Sequence, residues 1–133
     1  MRIVLIGYGK MGKEIEKIAV ERGHSIVAKI DVDNQDDLDQ LSIQDVDVAI
    51  EFSNPISAFG NLVKCIKKNI PVVCGTTGWL EKRAEIEDLT KVNNATFFYA
   101  SNYSIGVNLF FKLNKFLASL MKNHSEYDIY TNE

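Results

Sequence analysis

Six residues near the start of the sequence carry its clearest chemical pattern. Gly7-Tyr8-Gly9-Lys10-Met11-Gly12 fits G-x-G-x-x-G and lies between an apolar run and a helical pattern. In a strand, turn and helix of this kind, the three glycines permit a tight turn, close approach of a pyrophosphate, and close packing of helix on strand. The free N–H groups and the dipole at the start of the helix favour a phosphate. The pattern therefore predicts dinucleotide binding at residues 7–12.

An acidic residue lies at the distance expected after such a turn. Asp31 ends the second apolar run, about twenty residues beyond Gly12. A carboxylate there can accept hydrogen bonds from the adenosine ribose hydroxyls and would repel a 2′-phosphate. The predicted cofactor is NAD or NADP, with NAD favoured, although Lys29 and Lys10 could relieve part of the repulsion. The alternative is that Asp31 only begins a solvated acidic loop over residues 31–39.

Three further loops follow apolar runs and carry small or polar residues. They are Phe52-Ser53, Gly75-Thr76-Thr77-Gly78 and Ala100-Ser101-Asn102-Tyr103. Each loop alone would be ordinary turn chemistry. In a parallel sheet, however, these loops would lie at the same edge as residues 7–12 and Asp31, because all of them follow the carboxyl ends of strands. Ligands of such sheets bind at that edge. Their convergence favours a binding site.

The elements that position these loops alternate along the chain. Apolar runs predict strands at residues 3–6, 25–30, 46–52, 71–74 and 96–100, and helical patterns predict helices at residues 10–22, 55–68 and 80–92. The stripe expected to face the core consists of Met11, Ile15, Ile18 and Ala19 in the first helix, and of Ile56, Phe59, Leu62, Val63 and Ile66 in the second. The alternation predicts an α/β fold, a Rossmann-like doubly wound parallel sheet with helices on both faces.

The pattern changes in the last third of the chain. Residues 104–122 predict a long helix that is more apolar than one sheet face requires, and residues 127–131 predict a sixth strand. We therefore predict a dinucleotide-binding domain at residues 1–103. Residues 104–133 would form a hinge helix and the start of an incomplete substrate or oligomerisation domain. An uncovered apolar helix and an unpaired strand edge favour a homo-oligomer.

Composition excludes several classes of function. The net charge is −3, with acidic and basic residues interspersed, so the sequence predicts no nucleic-acid partner. Cys65 and Cys74 do not have metal-ligand spacing, so no metal site is predicted, and two unpaired, buried thiols suit a cytoplasmic location. The N-terminus does not resemble a signal peptide, and no apolar run is long enough for a membrane span.

Longer stretches of the chain resemble one enzyme family. The residues that carry the resemblance are GYGKMG at the start, AIEFSNP at 49–55, VVCGTTGW at 72–79, YASNYSIGVNLFFKLNKFLASL at 99–120 and YDI at 127–129. They are similar to 4-hydroxy-tetrahydrodipicolinate reductase, historically dihydrodipicolinate reductase, of bacterial lysine and diaminopimelate synthesis. The pairing of G-T-T-G with N-[FY]-S-[IL]-G-V is the most specific part. The resemblance implies an NAD(P)-dependent oxidoreductase acting on a small cyclic dicarboxylate.

The resemblance also implies roles for individual residues. Residues 7–12 would hold the pyrophosphate, Asp31 the adenosine ribose, and the three later loops the nicotinamide half. The implied cofactor-binding residues are Gly7, Tyr8, Gly9, Lys10, Met11, Gly12, Asp31, Phe52, Ser53, Gly75, Thr76, Thr77, Ala100, Ser101, Asn102 and Tyr103. Three departures from the family pattern are mild: Glu51 replaces the usual aspartate, Ser101 a proline or alanine, and Tyr103 a phenylalanine.

One departure from the family pattern is serious. In the family, a strand like residues 127–131 leads into paired histidines with a nearby lysine and then a D-A-P-S-G-T segment, which supply the proton donor and the substrate carboxylate site. These motifs are not present in the 133 residues. We therefore expect no catalytic residue in this chain, which would be the nucleotide-binding part of the reductase, truncated before the histidines, and would bind cofactor without turnover.

Two other interpretations remain open from the sequence. The chain could belong to another Rossmann dehydrogenase, of the homoserine or aspartate-semialdehyde type, although residues 102–107 fit the reductase better. It could also be a non-enzymatic module that binds cofactor or oligomerises.

Overall fold

A computed structural model describes residues 1–128 and residue 130. The chain divides into two compact units, Met1–Ser101 and Asn102–Glu133. The strands of the first unit are β1 Arg2–Ile6, β2 Ser25–Ile30, β3 Val48–Glu51, β4 Val72–Cys74 and β5 Phe97–Tyr99. Its helices are α1 Lys10–Glu21, α2 Pro55–Lys67 and α3 Arg83–Val92, with short 3-10 segments at Val32–Gln40 and Leu80–Lys82. The second unit contains the helix α4, Ile105–Met121.

The five strands form one parallel sheet in the order β2-β1-β3-β4-β5. Strand β1 pairs with β2 and β3, with Ile6 opposite Ile30 and Glu51 at the carboxyl ends. Strand β4 continues the sheet from β3 to β5. The parallel α/β fold predicted from the sequence is therefore confirmed.

The two faces of the sheet are covered by different helices. On one face, α2 and α3 supply Leu62, Ile66 and Ile86, which are buried with side chains from the strands. On the other face, α1 supplies Ala19 against Ile3 and Leu5. Burial of these apolar side chains is the main favourable contribution to folding.

Several local expectations differ from the structure. Met11 is 51% exposed and Ile18 is also exposed, because α1 contacts the sheet through Gly12, Ile15 and Ala19. Ile56 is 94% exposed because α2 faces the core with Ala58, Leu62 and Ile66, and Ile56 lies nearly opposite Ala58 around the helix. The acidic loop after Asp31 is a kinked 3-10 segment whose Leu38 is fully buried.

In the second unit, Ser104 caps α4 by accepting a hydrogen bond from the Val107 N–H at 3.4 Å. Helix α4 contains no buried residue. The strand predicted at residues 127–131 lies partly outside the described residues, and positions 127, 128 and 130 are not in a strand. Throughout the part of the chain that the structure describes, each helix is too short or too polar to cross a lipid bilayer.

Candidate functional site

Backbone hydrogen bonds join the carboxyl ends of all five strands. Each residue that follows β1, β3, β4 or β5 donates its N–H to the last carbonyl of the neighbouring strand: Gly7 to Ile30 at 2.8 Å, Phe52 to Ile6 at 2.7 Å, Gly75 to Glu51 at 2.9 Å and Ala100 to Cys74 at 3.3 Å. We call this row the edge ladder. It places four of the predicted loops, and Asp31 after β2, at one edge of the sheet.

Within the glycine turn, Gly7 and Gly12 allow backbone segments to approach closely. Gly7 has a φ of +91°, and a Cβ there would lie 2.1 Å from the carbonyl oxygen of Phe52. A Cβ on Gly12 would lie 2.3 Å from the carbonyl oxygen of Gly7. Both distances are shorter than atoms tolerate, so glycine is required at both positions.

Gly9 differs from the other two glycines because it faces open space. No atom lies within 4 Å of the position that its Cβ would occupy. Gly9 is the N-cap of α1, no side chain accepts a hydrogen bond from the first turn of that helix, and this turn contains no acidic residue. The first turn of a helix has N–H groups that need acceptors. An open, uncapped helix start fits the pyrophosphate of a dinucleotide.

Tyr8 is fixed beside the turn by an ion pair. The Tyr8 hydroxyl donates to the Glu16 carboxylate, and Lys29 Nζ lies 2.7 Å from Glu16 Oε1 and 3.2 Å from the Tyr8 hydroxyl. Lys29 Nζ also lies 4.7 Å from the centre of the Tyr8 ring. Hydrogen bonding to Lys29 and Tyr8 lowers the pKa of Glu16, and hydrogen bonding to Glu16 raises the pKa of Lys29. Lys29 is therefore engaged by Glu16, whereas Lys10 is exposed.

Asp31 has a structural partner as well as a position at the sheet edge. Its Oδ1 accepts the Val32 N–H at 2.9 Å and caps the 3-10 segment, while its own N–H donates to Asn34 Oδ1 at 2.7 Å. A narrow crevice beside it is lined by Gly7, Asp31 and Ser53, among others. The structure thus brings Asp31 next to the glycine turn and the end of β3.

A wider cleft of about 300 Å³ lies at the ends of β3 and β4. It is lined by Met11, Phe52, Ser53, Pro55, Gly75, Thr76 and Thr77, six of which are predicted site residues. Gly75 lets the Phe52 ring lie against the backbone, because a Cβ there would be 2.1 Å from that ring. Thr76 is buried, and its Oγ1 has no hydrogen-bond partner among the described residues. An orphaned hydroxyl at the cleft fits a polar ligand group.

The last predicted loop divides between the two units. Ala100 and Ser101 end the first unit, where Ala100 belongs to the edge ladder. Asn102 and Tyr103 begin the second unit. The Asn102 side chain accepts the Ser104 N–H at 2.8 Å, so it shapes the entry to α4.

The two cysteines are free thiols inside the first unit. Burial and then the negative charge of Glu51 raise the pKa of Cys65 to about 12. Burial also raises the pKa of Cys74, together with its hydrogen bond to Glu51. Among the described residues, no three His, Cys, Asp or Glu side chains are grouped closely enough to hold a metal ion.

Comparison with known proteins identifies the family. The profile described as "Dihydrodipicolinate reductase, N-terminus" matches residues 1–103. This chain belongs to the dihydrodipicolinate reductase family. The resemblance noted in the sequence is thereby confirmed, and the matched residues include the whole of the first unit.

Relatives of the dihydrodipicolinate reductase family match nearly the whole chain. A protein of Christiangramia forsetii named "4-hydroxy-tetrahydrodipicolinate reductase" is 47% identical over 131 residues, which cover 97% of this chain and 53% of that protein. A protein of the same name from Staphylococcus aureus strain MRSA252 is 35% identical, with 97% and 54% covered. The chain therefore spans about half the length of the curated relatives it matches.

A solved structure with a different printed name shares this fold. The crystal structure of a putative homoserine dehydrogenase from Archaeoglobus fulgidus aligns with a TM-score of 0.59 at 16% identity. The alignment covers 74% of this chain and 42% of that one. At this identity the similarity concerns the fold alone.

Two buried residues beside the wider cleft were not among the predicted site residues. Glu51, the last residue of β3, is fully buried. Trp79 is buried beside the G-T-T-G turn, and its Nε1 donates to the Thr76 carbonyl at 2.7 Å. Strand alternation could have found Glu51, since it lies on the same strand face as the buried Ala49.

Proposed function

We propose that this chain binds a nicotinamide dinucleotide along the carboxyl edge of its sheet, as the cofactor half of a reductase. The observation that carries this proposal is the open, uncapped start of α1 at Gly9. The N–H groups of that turn lack a side-chain acceptor and can donate hydrogen bonds to the pyrophosphate. The helix dipole adds a positive potential there. The membership of the family supports the same assignment.

The proposed roles follow the order of loops along the edge. Residues 7–12 bind the pyrophosphate, and Asp31 binds the adenosine ribose in the crevice that it shares with Gly7. Phe52, Ser53 and the G-T-T-G turn bind the nicotinamide half in the 300 Å³ cleft. The Thr76 hydroxyl is a ligand donor or acceptor there, because it has no partner among the described residues. Ala100 and Ser101, which follow β5 at the same edge of the first unit, would contact the nicotinamide half.

We propose that NAD is preferred to NADP. Asp31 would repel a 2′-phosphate, and the nearby Lys29 is held 2.7 Å from Glu16. The test is titration with NADH and NADPH of the native chain and of Asp31→Asn, which keeps an oxygen to cap the 3-10 segment and removes the charge. NADH should bind more tightly to the native chain, and the preference should shrink about tenfold in Asp31→Asn. Asp33→Asn, at an exposed position two residues on, is the matched control and should leave the preference unchanged. Equal preferences in Asp31→Asn and the native chain would refute the ribose assignment.

The proposed reaction of the whole reductase is conversion of 4-hydroxy-tetrahydrodipicolinate to tetrahydrodipicolinate in lysine and diaminopimelate synthesis. The names of the relatives support it. The nicotinamide would supply the hydride, and the protein would orient it. The paired histidines and D-A-P-S-G-T segment are not among these 133 residues, so we propose that the chain binds cofactor without turnover of the dicarboxylate. Substantial NADH oxidation by the purified chain in the presence of substrate would contradict this.

We further propose that residues 104–133 belong to an oligomerisation region. Leu109, Leu113 and Phe116 of α4 are each about 60% exposed, a larger apolar surface than a monomer ordinarily retains. Light scattering should show a homo-oligomer for the native chain and a smaller species for Leu113→Lys. Lys112→Gln on the same helix is the control. A native monomer at high concentration would refute the proposal.

We also propose a cytoplasmic location. The two free thiols support it, because unpaired cysteines suit a reducing compartment.

A further inference from the structure

Glu51 is a fully buried acid at the centre of the sheet. It ends β3, the middle strand, and none of its surface is exposed. An isolated buried carboxyl group is costly, so its partners indicate what it does. Among the described residues, no Lys, Arg or His forms an ion pair with it.

Three groups of the described residues donate hydrogen bonds to the Glu51 carboxylate. Oε1 accepts the Ser53 N–H at 3.1 Å and also the Ser53 hydroxyl, and Oε2 accepts the Cys74 thiol at 3.0 Å. An ionised carboxylate is an acceptor only, so this set of partners suits the charged form.

The carboxylate is connected to the wider cleft through its hydrogen-bond donors. Ser53, which donates to it twice, lines that cleft together with Phe52. Cys74, its third donor, precedes the cleft residue Gly75. A charge in this position acts through protein rather than through bulk water, so its field in the cleft is only weakly screened.

We propose that Glu51 is a positioning and selectivity residue whose negative charge makes the cleft favour a pyridinium, the oxidised nicotinamide, over the uncharged dihydropyridine. This inference rests on the proposed function, because it requires the nicotinamide half to occupy the cleft. The two proposed effects of Glu51 on the cleft can be separated by experiment. The hydrogen bonds to Ser53 shape the cleft for either redox form, whereas the charge acts only on the form that is positive.

The test compares NAD+ and NADH affinities by calorimetry for the native chain, Glu51→Gln and Glu51→Asp. Gln keeps the size of the side chain and removes its charge, and Asp keeps the charge on a shorter side chain. In Glu51→Gln the affinity for NAD+ should fall about fivefold more than the affinity for NADH. In Glu51→Asp the ratio of the two affinities should stay within about twofold of the native ratio. Glu87→Gln, an exposed α3 carboxylate paired with Arg83 at 2.7 Å, is the control and should leave both affinities unchanged.

A second measurement needs no variant and so does not depend on whether Glu51→Gln folds. ADP-ribose lacks the nicotinamide, so the native chain should bind NAD+ more tightly than ADP-ribose. The increase in affinity from ADP-ribose to NADH should be smaller than the increase from ADP-ribose to NAD+. Equal losses of NAD+ and NADH affinity in Glu51→Gln, or no gain of NAD+ over ADP-ribose, would overturn the role of the charge. If the native chain binds none of the three ligands, the proposed function fails together with this inference.

Discussion

Helices α1 and α2 both begin at the carboxyl edge of the sheet, but their first turns are built differently. The α2 turn is closed by its own chain: Asn54 Oδ1 accepts the N–H groups of Ile56 and Ser57 at 3.0 and 3.1 Å, and Pro55 has no N–H. The α1 turn begins at Gly9 and has no side-chain cap. In α2 the N–H groups of the first turn are hydrogen-bonded within the chain, whereas in α1 no side chain accepts a hydrogen bond from the first turn. The difference between the two turns supports the proposed pyrophosphate site more directly than the glycine pattern does.

The largest expected effect comes from a steric clash inside the glycine turn before α1. In Gly12→Ala the new Cβ would meet the Gly7 carbonyl at 2.3 Å, so the turn must open. We expect a loss of about 2 to 3 kcal/mol in unfolding free energy, measured by urea denaturation. Gly60→Ala in α2 is the matched control, because no atom lies within 4 Å of its Cβ position and alanine favours a helix. Equal stabilities for the two variants would contradict the packing role of Gly12.

The next prediction gives α1 the kind of cap that α2 has. In Gly9→Asp the side chain has open space, and the backbone φ of −77° is available to any residue. The apo chain should gain a few tenths of a kcal/mol, as expected for a capped helix. NADH binding should weaken about 30-fold to 150-fold, because the carboxylate takes the donors and repels the pyrophosphate.

Gly9→Ala separates these two causes, since it adds bulk without a cap or a charge. Its NADH affinity, measured by fluorescence titration, should lie between those of the native chain and Gly9→Asp. Unchanged NADH binding in Gly9→Asp would remove the observation on which the cofactor assignment depends.

A smaller effect is expected from uncapping α2. Asn54→Ala leaves the N–H groups of Ile56 and Ser57 without their acceptor, so the unfolding free energy should fall by about 1 kcal/mol. Asn54→Asp retains an acceptor and should remain within a few tenths of the native value. Thermal denaturation of the two variants measures the difference, and a stable Asn54→Ala would show that the α2 cap contributes little.

The smallest expected effect concerns the ion pair that fixes Tyr8 beside α1. The pKa of Glu16 is lowered from 4.5 by hydrogen bonds to Lys29 and Tyr8, so its stabilising contribution is present above pH 4.5 and is lost as the pH falls through the folded value. The stability difference between the native chain and Glu16→Gln should therefore be present at pH 7 and shrink at pH 3.5. Glu14→Gln on the same helix is the matched control in the same urea titrations. A difference independent of pH would assign the effect to something other than the charge.

The sequence predicted the parts of the fold that follow from local pattern. These parts depend on the spacing of apolar residues and on the intrinsic conformational preferences of residue types. They are the strand before Gly7, the helix cap and proline at Asn54-Pro55, and the order of helices and strands. The family was also predictable, because its motifs are spread over nearly the whole chain.

The remaining errors arise from packing, which periodicity does not report. Ile56 continues the apolar stripe of α2 but is exposed, because the helix faces the core with Ala58, Leu62 and Ile66 instead. Asp31 was recognised by its distance from the glycines, whereas its capping of the 3-10 segment depends on a turn that has no sequence period. Glu51 was noted only as a departure from a usual aspartate, and its burial depends on donors supplied by residues 53 and 74.

The edge ladder also has a consequence for how the molecule assembles. Each of its four bonds joins segments that are more than twenty residues apart, and no hairpin brings any of them together early. Long-range parallel pairing is a slow step in folding, so the edge is complete only when the last strand has joined the sheet. A nucleotide that binds there would recognise the finished sheet and hold it by mass action. Dinucleotide in the refolding buffer should then raise the yield of native chain without changing the rate of early collapse.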